Sequence, residues 1–386
     1  MESAGLLVVI AAAAFLLPLL ANRLRVPAVV LEILFGILVG PSVIGLIERT
    51  ELLSLLADLG FFLLMFLSGF EIDFALLRRR GPRELAVAFG IFGATLGLAF
   101  LSARSLGYGF FMTFVLATTS VGLVVPTLRS ARRESTEMGQ AVLIGAIIAD
   151  FLTLIGVTVF ALIHEHGSGI ELLNIPLLFA SITIVLLLLR RAAWWYPKQF
   201  SRLFSRDDPE ELGIRASLAL MLIFVGISEL LGVEPILGAF LAGTVVALVF
   251  PHRGQLEQKL TGFSYGFLIP IFFISVGLRF ELESLLELDV FLRALALLGV
   301  AILVKMLPAM LLVARRLTIR EALAAGTLLS ARLSLIIAVA ELGVELGLIG
   351  SSLESAVILL AIVTTILAPT FFRRLAPPLP AVDRPA

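Results

Sequence analysis

Gly145–Ala146–Ile147–Ile148–Ala149–Asp150–Phe151–Leu152–Thr153 sits in the middle of an apolar run from Met138 to Ile163. A run of that length reads as a helix that crosses a membrane. Its one charged residue, Asp150, then lies near the centre of the hydrocarbon layer. A charge there costs about 2.5–3.5 kcal/mol on insertion scales, so it must face protein and be paired, hydrated or neutralised.

The pattern repeats outward from this run. Apolar stretches fall near 5–21, 28–47, 52–74, 84–103, 110–128, 138–163, 172–189, 214–232, 235–250, 261–278, 290–314, 320–343 and 353–372, which predicts thirteen transmembrane helices. The first lacks a basic start and a small-residue cleavage site, so it reads as a retained helix rather than a signal peptide. Composition agrees: 60% of the 386 residues are apolar, 15% are charged, and the mean hydropathy is +1.09. A soluble chain could not hide that much apolar surface, which excludes soluble enzymes, nucleic-acid binders and disordered scaffolds. Lys plus Arg and Asp plus Glu both number 29, so no basic field exists to attract nucleic acid. There is no cysteine, which removes disulfides and thiolate chemistry. His164, His166 and His252 lie near helix ends and leave little for a transition metal. Neither an enzyme nor a resident cofactor is expected.

The charges test the span count. Of the 29 Lys and Arg residues, 23 fall in every second loop and the C-terminal tail; the intervening loops hold only Arg49, Arg104, Arg279 and Arg293. Such alternation is what the positive-inside rule demands of correctly drawn spans. It predicts a multi-pass protein of the cell (inner) membrane, with its N-terminus outside and its C-terminus cytoplasmic. One misplaced span would scramble the alternation beyond it.

Pro27 and Pro235 open two spans 208 positions apart, and at the same offset Gly69–Phe70–Glu71–Ile72–Asp73 meets Gly277–Leu278–Arg279–Phe280–Glu281. The reading is a duplicated six-helix unit: repeat one over 5–163, a connector helix and loop over 172–213, and repeat two over 214–375. Equivalent helices are seven spans apart, so the repeats are inverted, as in secondary transporters with a site at the midplane. Residues 1–375 form a single transporter unit, and 376–386 are expected to be a disordered cytoplasmic tail.

Two more charges stay at membrane depth: Lys305, in Ala301–Ile302–Leu303–Val304–Lys305–Met306–Leu307–Pro308, and Arg332, in Leu329–Ser330–Ala331–Arg332–Leu333–Ser334. A carboxylate at such depth can hold a proton or a bare monovalent cation, but not both. It could equally form a buried pair with Lys305 or Arg332 that only locks helices. The fifth span carries Thr118–Thr119–Ser120 and then Pro126; its repeat partner, the twelfth, carries Ser330 and Ser334 around Arg332. Hydroxyls, glycine and proline weaken a helix, and freed carbonyls there can coordinate cations. Small residues packing helices together would leave the same trace. Glu32 is a lesser candidate, because Phe240 stands at the equivalent place. Glu71 and Asp73 could line an entrance or balance Arg78–Arg80. Glu229, Glu234, Glu341 and Glu345 gather at external ends.

Several segments resemble the monovalent cation:proton antiporter-2 family of Kef- and NapA-like exchangers. They are Val26–Pro27–Ala28–Val29–Val30–Leu31–Glu32 through Gly40–Pro41–Ser42, Leu64–Met65–Phe66–Leu67–Ser68–Gly69–Phe70–Glu71, Leu237–Gly238–Ala239–Phe240–Leu241–Ala242–Gly243 and Pro270–Ile271–Phe272–Phe273–Ile274–Ser275–Val276–Gly277. The resemblance covers about 20–375. It implies a NapA/NhaA-like fold with crossed, discontinuous helices, interleaved core and dimerisation subdomains, a homodimer, and elevator motion of the core. It implies that Asp150 is the ion-binding carboxylate. The electrogenic members carry a second aspartate where this chain has Ala149, and Lys305 matches the lysine expected to pair with it. Lys305 must therefore find Asp150, a backbone oxygen or water, or lose its proton. Arg332 matches the arginine of a Pro–Arg–Gly–Glu motif, of which Leu333 and Ser334 replace the last two residues.

The expectation is exchange of H⁺ for Na⁺ or K⁺, electroneutral because one core carboxylate is present. Asp150 alternates between cation and proton, Thr118, Thr119 and Ser120 complete the cation shell, and Lys305 and Arg332 compensate charge. Two rivals remain at this stage: sodium-coupled symport of an organic acid held by Lys305 and Arg332, and a non-transporting sensor subunit with a degenerate site.

Overall fold

The computed structural model describes residues 3–24, 26–47, 49–72, 74, 81–167, 169, 173–195, 210–250 and 254–377, and among them it is entirely helical with no strand. Asp73, Arg78–Arg80, His252, the connector loop over 196–209 and the tail from 378 lie outside the described residues. Ten of the described helices are long and apolar enough to cross a membrane, and the bent pair Ile319–Leu329 and Ser334–Glu345 makes an eleventh. Two shorter apolar helices, Ala28–Val39 and Pro235–Val249, fall at the second and ninth expected spans.

Several boundaries differ from expectation. The span expected over 28–47 is helical only to Val39. Gly40 is extended (φ −75°, ψ 178°) because the following Pro41 disfavours helical backbone at the residue before it. The span expected over 290–314 is α-helical from Leu288 to Ala309, then tightens into a 3₁₀ turn at Met310–Arg315. Pro308, which lacks an N–H, loosens the ladder just upstream. The span expected over 261–278 begins earlier, at Gly254, and contains a π-helical turn at Ser264–Leu268. A short helix, Leu282–Leu286, was not anticipated.

The chain divides into two compact units, each assembled from three separate segments. The first comprises Met1–Arg79, Phe151–Arg293 and Ile337–Ile358; the second comprises Arg80–Asp150, Ala294–Ile336 and Leu359–Ala386.

In the first unit, helices meet backbone to backbone at glycines. Gly36 in Ala28–Val39 lies against Gly277 and the Ile274 carbonyl of Ile269–Leu278. Gly69 in Glu51–Phe70 lies against the Phe240 carbonyl of Pro235–Val249, and Gly243 of that helix lies against the Phe66 carbonyl. A methyl at any of these four positions would overlap backbone atoms. Small residues permit such close crossing where lipid supplies no hydrophobic drive between helices. Phe61 and Phe272 stack beside the contacts with ring centroids 4.8 Å apart.

The acidic residues at helix ends in this unit are less free than the sequence suggests. Arg279, which caps Ile269–Leu278, bonds Glu341 at 2.5 Å and lies 4.0 Å from Glu354. Arg49 reaches the same Glu341 oxygen at 4.0 Å. Glu234, in the turn before Pro235, is pushed up to about 7 by burial and by the charges of Glu165 and Glu345. The expected external acidic group is thus divided, with Glu341 held in an ion-pair network rather than offered to solvent.

The second unit contains Pro82–Ser105, Phe111–Ala117 and Val121–Ser130, the first half of Glu137–His166, most of Leu288–Ala309, Ile319–Leu329 and the latter part of Ser351–Leu375. Thr318 and Glu321 form a reciprocal capping box at the start of Ile319–Leu329, which satisfies two N-terminal donors at once. Arg315 bonds Glu84 at 2.7 Å.

Candidate functional site

The span expected over 110–128 is a broken helix. Its first half, Phe111–Ala117, ends where Thr118 turns to φ −55°, ψ 154°; Ser120 is extended, and the second half runs Val121–Ser130. Three consecutive hydroxyl residues offer the backbone alternative partners, and Thr118 Oγ1 takes one by donating to the Val115 carbonyl at 2.8 Å. Pro126 then frees the Gly122 carbonyl within the second half. A break leaves carbonyls without partners on one side and N–H groups without partners on the other.

Both sides are met by side chains from other helices of the same unit. Arg332 Nη2 donates to the Leu116 carbonyl at 2.7 Å and to the Ala301 carbonyl at 2.8 Å, and its Nε donates to the Thr118 carbonyl at 3.1 Å. Lys305 Nζ donates to the Ala117 carbonyl at 2.5 Å and to Thr119 Oγ1 at 2.6 Å. Two basic side chains therefore cap the negative end of the first half-helix, where a helix dipole favours positive charge. Across the gap, the Val121 N–H donates to Asp150 Oδ2 at 3.1 Å. Ser120 makes no side-chain capping bond, so Asp150 serves as the anion at this helix N-terminus.

Asp150 is only half used. Its residue is 8% exposed, and Oδ1 is buried with no hydrogen-bond partner among the described residues. Lys305 feels its charge but forms no ion pair with it within 4.0 Å. Lys305 has found a backbone oxygen, one of the options left open once position 149 is alanine, and the Thr119 hydroxyl, which was not among them. Arg332 is fully buried, and its Nη1 also lacks a partner among the described residues.

The second break lies at 330–333, with a bend of 46° between Ile319–Leu329 and Ser334–Glu345. Ser330 Oγ donates to the Thr327 carbonyl at 2.6 Å, and Ser334 opens the second half-helix. The Arg332 carbonyl, freed by the break, accepts from Thr365 Oγ1 at 2.9 Å. Thr365 was missed in the sequence. The adjacent pair Thr364–Thr365 in an apolar span could have flagged it. The Val121 N–H and the Ala301 carbonyl were also missed, because backbone groups leave no residue-type signal.

Asp150, Thr118, Thr119, Ser120, Lys305, Arg332, Ser330 and Ser334 thus all belong to the second unit. Glu32 and Glu71 belong to the first: Glu32 lies in Ala28–Val39, and Glu71 caps Glu51–Phe70. Among the described residues no group of three His, Asp or Glu could hold a metal ion as a cluster.

Known proteins resemble this chain in sequence or in fold. YjbQ of Bacillus subtilis is 37% identical over a 394-residue alignment that takes in 97% of this chain and 63% of that protein, so the chain spans less than two thirds of that relative. The Na⁺/H⁺-K⁺ antiporter GerN of Bacillus cereus is 29% identical over 92% of this chain and 91% of its own length. The sodium proton antiporter MjNhaP1 from Methanocaldococcus jannaschii superposes with a TM-score of 0.66, covering 95% of each chain at 16% identity, a likeness of fold. The family model described as sodium/hydrogen exchanger, transmembrane, matches residues 10–376, and the chain belongs to that family.

Proposed function

We propose that this chain is a secondary antiporter exchanging H⁺ for Na⁺ or K⁺ across the cell membrane, with Asp150 as the group that holds either passenger. The family is one of transporters, not enzymes. The observation that carries the reading is the state of the Asp150 carboxylate. One oxygen rests on the positive end of a half-helix, and the other is buried with no partner among the described residues. A helix N-terminus supplies about half a positive charge. The remainder of the carboxylate's charge has room for one proton or one monovalent cation. Oxygens of Thr118, Thr119 and Ser120 border the same gap and would complete a hard-cation shell, which favours oxygen ligands.

Exchange would be electroneutral. Ala149 supplies no second carboxylate, and Lys305 bonds neutral oxygens rather than Asp150, so the swap involves a single anionic group. The same contacts count against symport of an organic acid, since Lys305 and Arg332 are engaged by carbonyls of the half-helix. Relatives named for Na⁺/H⁺ and for K⁺/H⁺ antiport support both cations as candidates.

The finer architecture belongs to the same proposal. Ten long helices, one bent pair and two short apolar helices are compatible with thirteen spans. Inverted repeats are supported by reciprocal glycine contacts: Gly36 meets Gly277, and Gly69 packs on the helix that carries Gly243. Gly69 and Gly277 are 208 apart, and Gly36 and Gly243 are 207 apart. An elevator would move the second unit, as core, against the first, as the dimerisation part of a homodimer. The antiporter-2 affinity, the outside N-terminus and the cytoplasmic C-terminus rest on the quoted motifs and the alternation of basic loops.

The test is dequenching of a pH dye in vesicles on addition of NaCl, KCl or LiCl. Wild type should respond to at least one salt. Asp150→Asn should not. A response in neither protein overturns the antiport reading.

A further inference from the structure

Glu32 is a buried acid that the exchange mechanism does not use. It lies in the second turn of Ala28–Val39 and is 3% exposed. No hydrogen bond or ion pair joins it to another described residue. The helices packed on Ala28–Val39 are Ser3–Leu24 and the segment ending Ile269–Leu278. Tyr265 lies within electrostatic reach of both Glu32 and Glu71. Neither Tyr265 nor Glu71 is a cation. An unpaired carboxylate at membrane depth costs about 2.5–3.5 kcal/mol, a penalty removed by a bound proton or counter-ion.

Two further observations mark the place. Tyr265 occupies the π-helical turn Ser264–Leu268, and the Ser264 hydroxyl beside it is fully buried and lacks a partner among the described residues. Such turns insert a residue into the helical register and recur at functional sites. Packing does not demand the acid either. Phe240, at the position 208 residues on, fills the equivalent place in Pro235–Val249 and is likewise 3% exposed.

We propose that Glu32 forms a second proton-binding site in the first unit, which takes up and releases its own proton independently of Asp150. Glu32 is the group that carries the proton. The proposal does not rest on antiport by Asp150, since it concerns a proton count rather than a flux.

The test is infrared difference spectroscopy between acid and alkaline pH on reconstituted protein, with a parallel proton titration. Asp150→Asn should retain a pH-dependent protonated-carboxyl band. Adding Glu32→Gln, which keeps the size of the side chain, should weaken that band, leaving the part due to other acids such as Glu234, and lower the proton count by about one per chain. Equal proton counts for Asp150→Asn and the double variant overturn the proposal. So does a Glu32-dependent proton displaced stoichiometrically by NaCl at constant pH, because that would make the site a cation site.

Discussion

The two broken helices of the second unit answer the same physical problem in different ways. Each leaves backbone groups unpaired in the middle of the membrane, where water cannot rescue them. At 330–333 the repair is neutral. Ser330 returns to the Thr327 carbonyl, and Thr365 donates to the Arg332 carbonyl. At 118–120 the repair comes from charged side chains: Arg332 and Lys305 on the carbonyl side, Asp150 on the N–H side. A neutral repair is finished once made. A charged repair with one free carboxylate oxygen is not, and that oxygen can trade partners. Under the proposed function the first break is where exchange would take place, and the second holds the arginine that braces the first.

The largest expected effect follows from the unfinished carboxylate. Asp150→Asn keeps an oxygen for the Val121 N–H but removes the charge that would bind a cation. Salt-induced proton flux should fall to the vesicle leak, while the protein still elutes as a folded species. Flux that persists in this variant would move the exchange site elsewhere and dissolve the contrast between the breaks.

Next comes the brace. Arg332 holds three carbonyls from a fully buried position. Arg332→Ala should cost about 3 kcal/mol or more, at about 1–3 kcal/mol per stranded carbonyl. The readout is the melting midpoint in detergent. Arg332→Lys should recover only part of it, because a point ammonium lacks the planar fork that spans several acceptors. Lys305→Gln should be milder, about 1–3 kcal/mol, since one carbonyl and one hydroxyl lose a charged donor. Its flux sharpens the comparison. If Lys305 only caps the half-helix, exchange survives in Lys305→Gln. Flux as low as in Asp150→Asn would make the lysine part of the exchange itself.

Much of this division was legible in the sequence because charge and hydroxyl residues are rare in an apolar span. Asp150, Lys305 and Arg332 stand out for that reason, and Thr118–Thr119–Ser120 with Pro126 marked the first break. Who bonds whom was not legible. Lys305 had several possible partners, and the choice of Ala117 and Thr119 depends on how helices far apart in sequence approach one another. The end of the second span at Val39 could have been read from Gly40–Pro41, but hydropathy continued past it. The π turn at Ser264–Leu268 has no sequence signature, since a register shift changes hydrogen bonds and not residue types.

Smaller effects separate the two breaks by kind rather than by size. Thr365→Val leaves the Arg332 carbonyl without its donor and should lower stability by about 0.5–1.5 kcal/mol, with Thr365→Ser restoring it. The apparent cation requirement for exchange should not move, because Thr365 acts on the backbone of the finished break. A shift in that requirement without a stability loss would place Thr365 nearer the passenger than its bond to the Arg332 carbonyl implies.

The finest contrast uses two hydroxyls in the same local geometry. Thr118 Oγ1 donates to the carbonyl three residues back, Val115, at 2.8 Å, and Ser330 Oγ donates to the carbonyl three residues back, Thr327, at 2.6 Å. Bonds of this kind add little to helix stability, so Thr118→Val and Ser330→Ala should each change it by about 0.5 kcal/mol or less. Their effects on exchange should diverge. Thr118 borders the gap where Asp150 keeps a free oxygen, and a hydroxyl there can turn toward a cation when one arrives. Thr118→Val should therefore raise the salt concentration needed for half-maximal dequenching several-fold, whereas Ser330→Ala should leave it unchanged. Equal shifts in both variants would mean that the two breaks share the passenger, and equal absence of a shift would mean that the cation takes its oxygens from backbone and water rather than from Thr118.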